Sequence, residues 1–208
     1  MSKLTVRKHP TQVRAREKVE KVFETASELL INEGIEALTI PRIAEDSGVT
    51  VGSIYQYFPN KESILYELYQ RWLNGAFDTY RNFSQLNHDV TDAAEYFTNL
   101  FRSYLADASN RQHRFSVEML NALRVNRDLQ ELDTKHEERL FEQFRNDFAK
   151  RGLVSRGKLS SRKSLKLEFL LHLALSLMEM ISRSPQQTRA AFIEQACDVL
   201  SNAIGEMK

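Results

Sequence analysis

Apolar side chains recur every three or four positions along most of the chain, a spacing that predicts α-helices. The first such stripe spans residues 14–33 and ends at Gly34. Longer stripes follow, and they predict helices at 61–82, 91–108, 110–126, 128–152, 164–184 and 186–204. The stripe at 128–152 keeps to one face and consists of Leu129, Leu132, His136, Leu140, Phe144 and Phe148.

Between residues 39 and 60 the predicted helices are short, and each begins at a capping residue. Thr39 caps a helix whose first turn contains Pro41, where the missing N–H would have no intrahelical partner. Gly48 interrupts that helix, Thr50 caps a second one, and Asn60 caps the long helix that follows. The chain therefore divides near residue 60 into short helices followed by longer ones.

The last two predicted helices form a hairpin, because Pro185 breaks the chain between them. The second helix carries one apolar stripe, made of Phe192, Ala196, Val199, Leu200 and Ile204. The first is apolar over far more of its circumference, so one neighbouring helix does not cover it. A second copy of the chain is the simplest partner, and we expect a homodimer through these two C-terminal helices.

The composition favours an all-helical protein and excludes several other classes. Seven glycines and four prolines amount to roughly 5% of the 208 residues, against about 12% in ordinary proteins, so the turns of a sandwich or barrel are missing. Apolar residues make up 42% and charged residues 27%, which fits neither general disorder nor a membrane protein. Cys197 is the only cysteine, which excludes an internal disulfide. Since the sequence has neither a secretory signal nor a membrane span, we expect a cytoplasmic protein.

The charge is distributed unevenly, although the net charge is only +1. Residues 1–18 carry six basic side chains against Glu17 alone, which makes a basic N-terminal arm. A second run, from Lys150 to Lys163, holds six basic residues and no acid. Its glycines and serines favour a solvated loop over a second phosphate-binding patch. The arm suits either a solvated tail or a contact with nucleic acid.

Residues 38–65 have the spacing of a helix-turn-helix. Ala44 is small and lies where two short helices would cross, and Gly48 lies four residues later, where a tight turn needs a positive φ. Val49 and Ile54 supply the apolar contacts between the two helices. In this motif the second helix enters the major groove of DNA by its N-terminal end.

The leading residues of that second helix are Thr50, Val51, Gly52 and Ser53, whose side chains are all small. Small side chains allow a helix to sit deep in a groove. Gly52 lowers helix stability by about 1 kcal/mol relative to Ala. Either a close approach of the backbone to DNA or close packing inside the protein would explain it.

Tyr55, Gln56 and Tyr57 follow, and Lys61 begins the next helix. Their hydroxyl, amide and ammonium groups can bind a phosphate backbone, and a glutamine can pair bidentately with adenine. The tyrosines also suit the core, as Phe58 does. Because residues two apart lie on different faces of a helix, we expect at least one tyrosine to point outward.

Taken together, residues 14–65 resemble the DNA-binding domain of the TetR family of transcriptional regulators. The matching set is Thr39 with Ile43 and Ala44, Gly48 with Val49, Ser53-Ile54-Tyr55, Tyr57-Phe58, and Lys61-Glu62. Pro41 departs from the family, which more often has a polar or aliphatic residue there. With Arg42 as a further candidate, the expected DNA-contacting residues are Thr39, Arg42, Thr50, Val51, Gly52, Ser53, Tyr55, Gln56, Tyr57 and Lys61.

The resemblance implies an all-α protein of about nine helices in three parts. These are a basic arm at 1–13, a three-helix helix-turn-helix domain at 14–61, and a larger ligand-binding and dimerisation domain at 62–208. It also implies a homodimer that binds a palindromic operator in double-stranded DNA. Such a protein usually represses a nearby gene until a small-molecule effector, here unidentified, enters the C-terminal domain.

Effector-binding residues do not follow from the resemblance, which beyond residue 67 is one of architecture only. The candidates are polar or soft groups within apolar helices, where such residues more often belong to the core: Trp72, Tyr104, His113, Glu118, Met119, His172, Met178 and Glu179. Among them Glu179 is the first to test, since a buried carboxylate needs a partner, either from the protein or from a cationic ligand.

No catalytic, metal or cofactor site is expected. The sequence lacks GxSxG, HExxH, P-loop and dinucleotide-binding patterns, and its five histidines do not have metal-ligand spacing. Two other interpretations stay open. One is a regulator of the same fold that responds to a protein partner or to nothing, and the other is a helical carrier or oligomerisation module that never touches DNA.

Overall fold

A computed structural model describes residues 12–106, 110–151 and 162–206. The described residues form nine α-helices and one short 3-10 helix, and no strand occurs among them, which confirms the all-α prediction. The helices are α1 (Val13–Glu33), α2 (Ile40–Ser47), α3 (Val51–Tyr57), α4 (Lys61–Leu86), α5 (Ala93–Ala106), α6 (Asn110–Val125), α7 (Arg127–Lys150), α8 (Arg162–Arg183) and α9 (Gln186–Gly205). None of the described helices combines the length and the apolar character needed to cross a membrane.

The predicted capping residues all lie at helix starts. The Thr39 hydroxyl accepts the N–H of Arg42 at 3.3 Å, and the Thr50 hydroxyl accepts that of Ser53 at 3.3 Å. Asn60 Oδ1 likewise accepts the N–H of Ser63 at 2.9 Å. Between the first two caps, Gly48 ends α2 in the left-handed region, with a φ of 68°, as the turn requires.

Several helix boundaries differ from the predictions by one to four residues. Helix α4 continues to Leu86, four residues beyond the predicted end at 82. Helix α5 begins at Ala93 rather than at 91, because Asp92 Oδ1 accepts the N–H groups of Ala94 and Glu95 at 2.9 Å. Side-chain oxygens that accept the first free N–H groups define where a helix starts.

The helices form two compact units. The first contains residues 12–73 and also Asn110–Leu132. The second begins at Asn74 within α4, includes α5, and resumes at Asp133 within α7. We expected the first domain to end at residue 61, but Leu65 and Leu68 of α4 are buried in its core together with Met119 and Ala122 of α6. The compact unit is thus larger than the predicted domain, and a functional boundary at 61 stays a prediction.

The core of the first unit fixes the helix-turn-helix. Ile43 of α2, Ile54 of α3 and Phe58 after α3 are completely buried, and Phe58 meets the edge of Phe23 of α1 with the ring centroids 5.3 Å apart. Phe58 is therefore a core residue, as predicted. These contacts hold α2 and α3 against α1 and leave the opposite side of α3 exposed.

The core of the second unit is aromatic and encloses one carboxylate. Asp147 of α7 is 4% exposed and accepts hydrogen bonds from Tyr80, from Ser84 at 2.7 Å and from Tyr96 at 3.0 Å. Lys150 pairs with its other oxygen at 3.1 Å. Burial by itself favours the neutral acid, but these hydrogen bonds outweigh it and hold the pKa of Asp147 below its usual value. Burial also raises the pKa of Tyr96 to about 12.

Two sequence interpretations in the second unit need correction. Of the apolar stripe predicted on α9, Ala196, Leu200 and Ile204 are buried, whereas Phe192 is 38% and Val199 51% exposed. The stripe is split because residues 192 and 199, seven apart, share a face that turns away from the other three.

The basic run at 150–163, predicted to be a loop, begins within α7. Lys150 is the last residue of α7, and the Arg151 side chain donates to the backbone oxygens of residues 87, 90 and 147. Residues 152–161 of that run, like residues 1–11 of the basic arm, lie outside the described residues.

Candidate DNA-binding site

Helix α3 has one buried face and one open face. Ile54 is completely buried, while Val51 and Tyr55 are 40% and 43% exposed. Gly52 and Gln56 are exposed as well. Since residues 51, 52, 55 and 56 are neighbours at helical spacing, their side chains form a continuous outward surface, which we call the α3 surface.

The start of α3 is held by two hydrogen bonds between Thr50 and Ser53. Thr50 Oγ1 accepts the N–H of Ser53 and donates its own hydrogen to Ser53 Oγ at 3.0 Å. Because Ser53 Oγ is the acceptor in that pair, its hydroxyl hydrogen can still be donated to a phosphate or a base. The pair thereby fixes the Ser53 hydroxyl at the end of the helix that a helix-turn-helix directs toward DNA.

Gly52 has free space around it. A Cβ atom built on this residue would meet no atom within 4 Å, and among the described glycines only Gly34 and Gly48 have a positive φ. Neither internal packing nor backbone conformation therefore requires glycine at this position. Of the two explanations that the sequence allowed, close approach of the backbone to a partner is the one compatible with this geometry.

The two tyrosines of α3 face different ways, in line with their spacing. Tyr55 is exposed, whereas Tyr57 is half-buried and packs against the core of the first unit. Lys61 follows as the first residue of α4 and is half-buried. Tyr55 therefore belongs to the α3 surface, and Tyr57 presents only part of its ring to solvent.

Arg42 is held by two carboxylates, neither of which was predicted from the sequence. Its guanidinium donates to Asp46 at 2.8 Å and to Glu33 at 3.3 Å. The hydrogen bond to Asp46 and the two negative charges raise the pKa of this arginine further. The four-residue spacing between Arg42 and Asp46 in the sequence could have indicated an ion pair on α2. To reach a phosphate, Arg42 must exchange or share these partners, and the Thr39 hydroxyl is likewise engaged as a cap.

The predicted effector residues are divided between the two units. Trp72 and Met119 lie in the core of the first unit, where Trp72 stacks on Tyr69 and Met119 is completely buried. Glu118 also belongs to the first unit, and its Oε2 lies 3.5 Å from the position of a Cβ on Gly34. The side chain of His113 lies outside the described residues.

The remaining candidates lie in the second unit and are separately engaged. Tyr104 donates to the backbone oxygen of Ala76 at 2.8 Å, and the exposed His172 packs edge-on against Phe141 with the ring centroids 4.7 Å apart. Met178 is half-buried. The expectation of a buried Glu179 is wrong, because its side chain is 38% exposed and pairs with Arg183 at 3.1 Å.

A small groove opens between α7 and α8. Its volume is about 170 Å³, and it is lined by Glu138, Phe141, Arg145, Glu168 and Leu171. Known sites for drug-sized ligands usually occupy about 300–1,000 Å³, so the groove is small for such a molecule. Among the described residues, no group of three His, Cys, Asp or Glu side chains is arranged to hold a metal ion.

The capped α2 and α3, joined through a left-handed glycine and packed on α1, define a helix-turn-helix protein of the kind that reads DNA. A sequence profile of bacterial regulatory proteins of the tetR family matches residues 22–68. Residues 22–68 therefore belong to the DNA-binding part of the tetR family, a family of transcriptional regulators rather than enzymes.

One curated relative is the HTH-type transcriptional repressor KstR2 of Mycolicibacterium smegmatis. It is 26% identical over 114 residues, which are 55% of this chain and 54% of the repressor. The aligned part of the chain thus spans about half the length of that relative.

Solved structures resemble the chain over nearly all of its length. A TetR-family regulator from Mesorhizobium loti has a TM-score of 0.72 and 16% identity, with 93% of this chain and 98% of that one covered. A regulator from Saccharomonospora viridis, solved in complex with choline, has a TM-score of 0.67 and 19% identity, with 91% and 96% covered. At these identities the likeness establishes the fold alone.

Proposed function

We propose that this protein is a DNA-binding transcriptional repressor that acts in the cytoplasm as a homodimer on a palindromic operator. The observation that carries the proposal is the open α3 surface around Gly52. In this position a glycine weakens the helix and has no role in packing, whereas it allows the backbone to approach base pairs closely. The match of residues 22–68 to the tetR family supports the same conclusion.

In the proposed complex the N-terminal end of α3 enters the major groove. The Ser53 hydroxyl and the exposed Tyr55 then face phosphates or base edges, and Gln56 is placed to pair with a base. Lys61 neutralises a phosphate beside the groove. Such phosphate contacts set the affinity for any duplex, whereas Gln56 contributes to the choice of sequence.

The dimer is proposed to form through α8 and α9. Both helices leave large apolar side chains between 38% and 65% exposed; these are Leu165, Phe169 and Met180 on α8, and Phe192 and Val199 on α9. A two-fold symmetric contact uses the same patch on both copies. These are the two helices through which the hydrophobic pattern predicted a homodimer. Contact with a second copy of the chain would remove their exposed apolar surface from water.

Release by a small molecule is proposed to start in the second unit. Helix α4 runs from the first unit into the second, so a change in the second unit can act on the helix-turn-helix through a continuous element. Dimers of this class place their recognition helices about 34–36 Å apart. A hundredfold loss of operator affinity requires a coupling free energy of about 2.7 kcal/mol.

The decisive experiment is selection of bound duplexes from random DNA with the purified protein. We expect enrichment of a two-fold symmetric sequence, and loss of binding in Tyr55→Ala. The control is Leu86→Ala, since Leu86 is 80% exposed at the end of α4. Failure to retain any duplex at low salt, or a monomer at working concentrations, would contradict the proposal and favour a helical carrier or oligomerisation module.

A second experiment tests the effector. Thermal unfolding and operator binding are measured across a metabolite panel that includes choline, the compound bound to the Saccharomonospora viridis neighbour. Release of the operator by one compound, with a rise in melting temperature, would support ligand control. If no compound has an effect while a cell extract releases the operator and protease treatment abolishes that activity, the regulator responds to a protein partner instead.

A further inference from the structure

The basic side chain of α2, Arg42, lies among acids. Helix α2 also carries Glu45 and Asp46, and Glu33 is the last residue of the neighbouring α1. All three carboxylates act on the Arg42 guanidinium through their negative charge. In a helix-turn-helix the first helix crosses the DNA backbone, where acidic side chains repel phosphates. These acids therefore lie where they oppose the contact that Arg42 is expected to make.

Two of the carboxylates hold Arg42 through different nitrogen atoms. Arg42 Nε donates to Asp46 at 2.8 Å, and Nη2 donates to Glu33 at 3.3 Å. Glu45 acts on the guanidinium by its charge alone. Since a guanidinium has further N–H groups in the same plane, a phosphate can approach in two ways. It either displaces the two carboxylates or binds beside them.

The packing of α2 on α1 does not depend on these ion pairs. Ile43 of α2 is completely buried in the same core as Leu30 of α1. The side chains of Arg42, Glu33 and Asp46 are between 34% and 47% exposed. Exposed ion pairs contribute little to stability, because water hydrates both partners. At this exposure water or a phosphate can also replace either carboxylate.

We propose that Glu33 and Asp46 compete with DNA phosphate for the Arg42 guanidinium and thereby lower the affinity of the protein for every duplex. A phosphate that displaces the carboxylates breaks two hydrogen bonds, and one that binds beside them meets two negative charges. Because phosphate contacts carry no sequence information, the operator and other DNA are affected equally. The effect on DNA rests on the proposed function, whereas the competition with phosphate does not.

The double variant Glu33→Gln/Asp46→Asn tests the proposal, because both changes keep the shape of the side chain and remove its charge. Loss of exposed ion pairs changes an equilibrium constant by up to about fivefold each. We expect the affinity for the selected duplex to rise about fivefold in fluorescence anisotropy at one fixed salt concentration, and that for a scrambled duplex to rise by the same factor. An unchanged or lower affinity would overturn the proposal, as would a gain confined to the selected duplex.

Glu36→Gln/Glu45→Gln is the matched control. Glu36 lies in the short 3-10 helix between α1 and α2, and Glu45 precedes Asp46. Both are exposed, and within the described part of the chain neither forms a hydrogen bond with Arg42. The control removes the same amount of charge nearby, and we expect a gain of less than about twofold because salt screens such charges. Equal gains in the two double variants would overturn the proposal.

Arg42→Ala separates competition for this arginine from any other effect of the two carboxylates. In the Arg42→Ala background, Glu33→Gln and Asp46→Asn have no guanidinium to release. Together they should then raise the affinity no more than the control variant does. The comparison is made at a salt concentration low enough for Arg42→Ala to bind. A gain in this background as large as in the unaltered protein would overturn the proposal.

A titration with sodium tripolyphosphate tests the competition without DNA. The Nε–H signal of Arg42 is followed by NMR in the full chain, both in the unaltered protein and in Glu33→Gln/Asp46→Asn. We expect the variant to bind tripolyphosphate at Arg42 about fivefold more tightly, and equal affinities would overturn the proposal. If neither protein retains a duplex at low salt, the proposed function fails, while this titration still decides whether the carboxylates compete with phosphate.

Discussion

Replacing Gly52 by alanine is expected to stabilise the protein and to weaken its binding to DNA. Gly52 is helical and exposed, and the added methyl group meets no protein atom within 4 Å. Alanine in an open helical position restricts the unfolded chain more than glycine does, which contributes about 0.5–1 kcal/mol to the free energy of unfolding. For a chain of this size, that gain raises the melting temperature by roughly 1–4 °C.

The loss of affinity has a different origin. If the backbone of Gly52 approaches base pairs closely, the new methyl group must push α3 outward. We expect a loss of at least about tenfold, or 1.4 kcal/mol, because several contacts of the α3 surface are weakened together. Fluorescence anisotropy with the selected duplex at one fixed salt concentration measures the affinity, and thermal unfolding of the same preparation measures the stability.

Gly205→Ala is the matched control for this variant. Gly205 is the last residue of α9, and it too is exposed, with no atom within 4 Å of the position that a methyl group would take. We expect Gly205→Ala to leave DNA affinity unchanged and to raise the free energy of unfolding by no more than Gly52→Ala does. The reasoning would be refuted if Gly52→Ala bound the duplex as tightly as the unaltered protein, because Gly52 would then have no role in close approach.

Four further outcomes are expected. Lys61→Ala should weaken binding to all duplexes and lower the slope of log affinity against log salt concentration by about one, as measured by titration over a salt series. Gln56→Ala should instead change the base preference at one position of each half-site in a repeated selection. Asp147→Asn should lower the free energy of unfolding by roughly 2–3 kcal/mol in urea titrations at pH 7, because the Tyr80 and Tyr96 hydroxyls lose their charged acceptor; an unchanged midpoint would contradict this. Burial, together with the charge of Arg139, lowers the pKa of His136 to about 4. The stability that the neutral histidine contributes is therefore complete above about pH 6.5 and is lost as the pH falls toward 4. In His136→Gln, the urea midpoint should depend less on pH over this range.

The features that the sequence predicted well depend on residues close together in the chain. Thr39, Thr50 and Asn60 each accept an N–H three residues further on, and Gly48 adopts its left-handed conformation within a single turn. Interactions over three or four residues leave a repeating pattern that can be recognised without a fold. The open face of α3 was predictable for the same reason.

The features that were missed depend on residues far apart in the chain. Asp147 accepts from Ser84 and Tyr96, which are 63 and 51 positions away. The burial of Met119 in the core of the first unit has no local signal either, since an apolar residue on α6 suits any core. The same holds for the exposure of Glu179, whose neighbours in the sequence are apolar.

The sequence by itself determined the helices, their caps and the small leading residues of α3, because backbone hydrogen bonding and steric limits act over a few residues. The tertiary structure alone decided which helices share a core, which apolar faces remain exposed, and that Gly52 has open space around it. Packing depends on all neighbours of a side chain at once, and those neighbours come from distant parts of the chain.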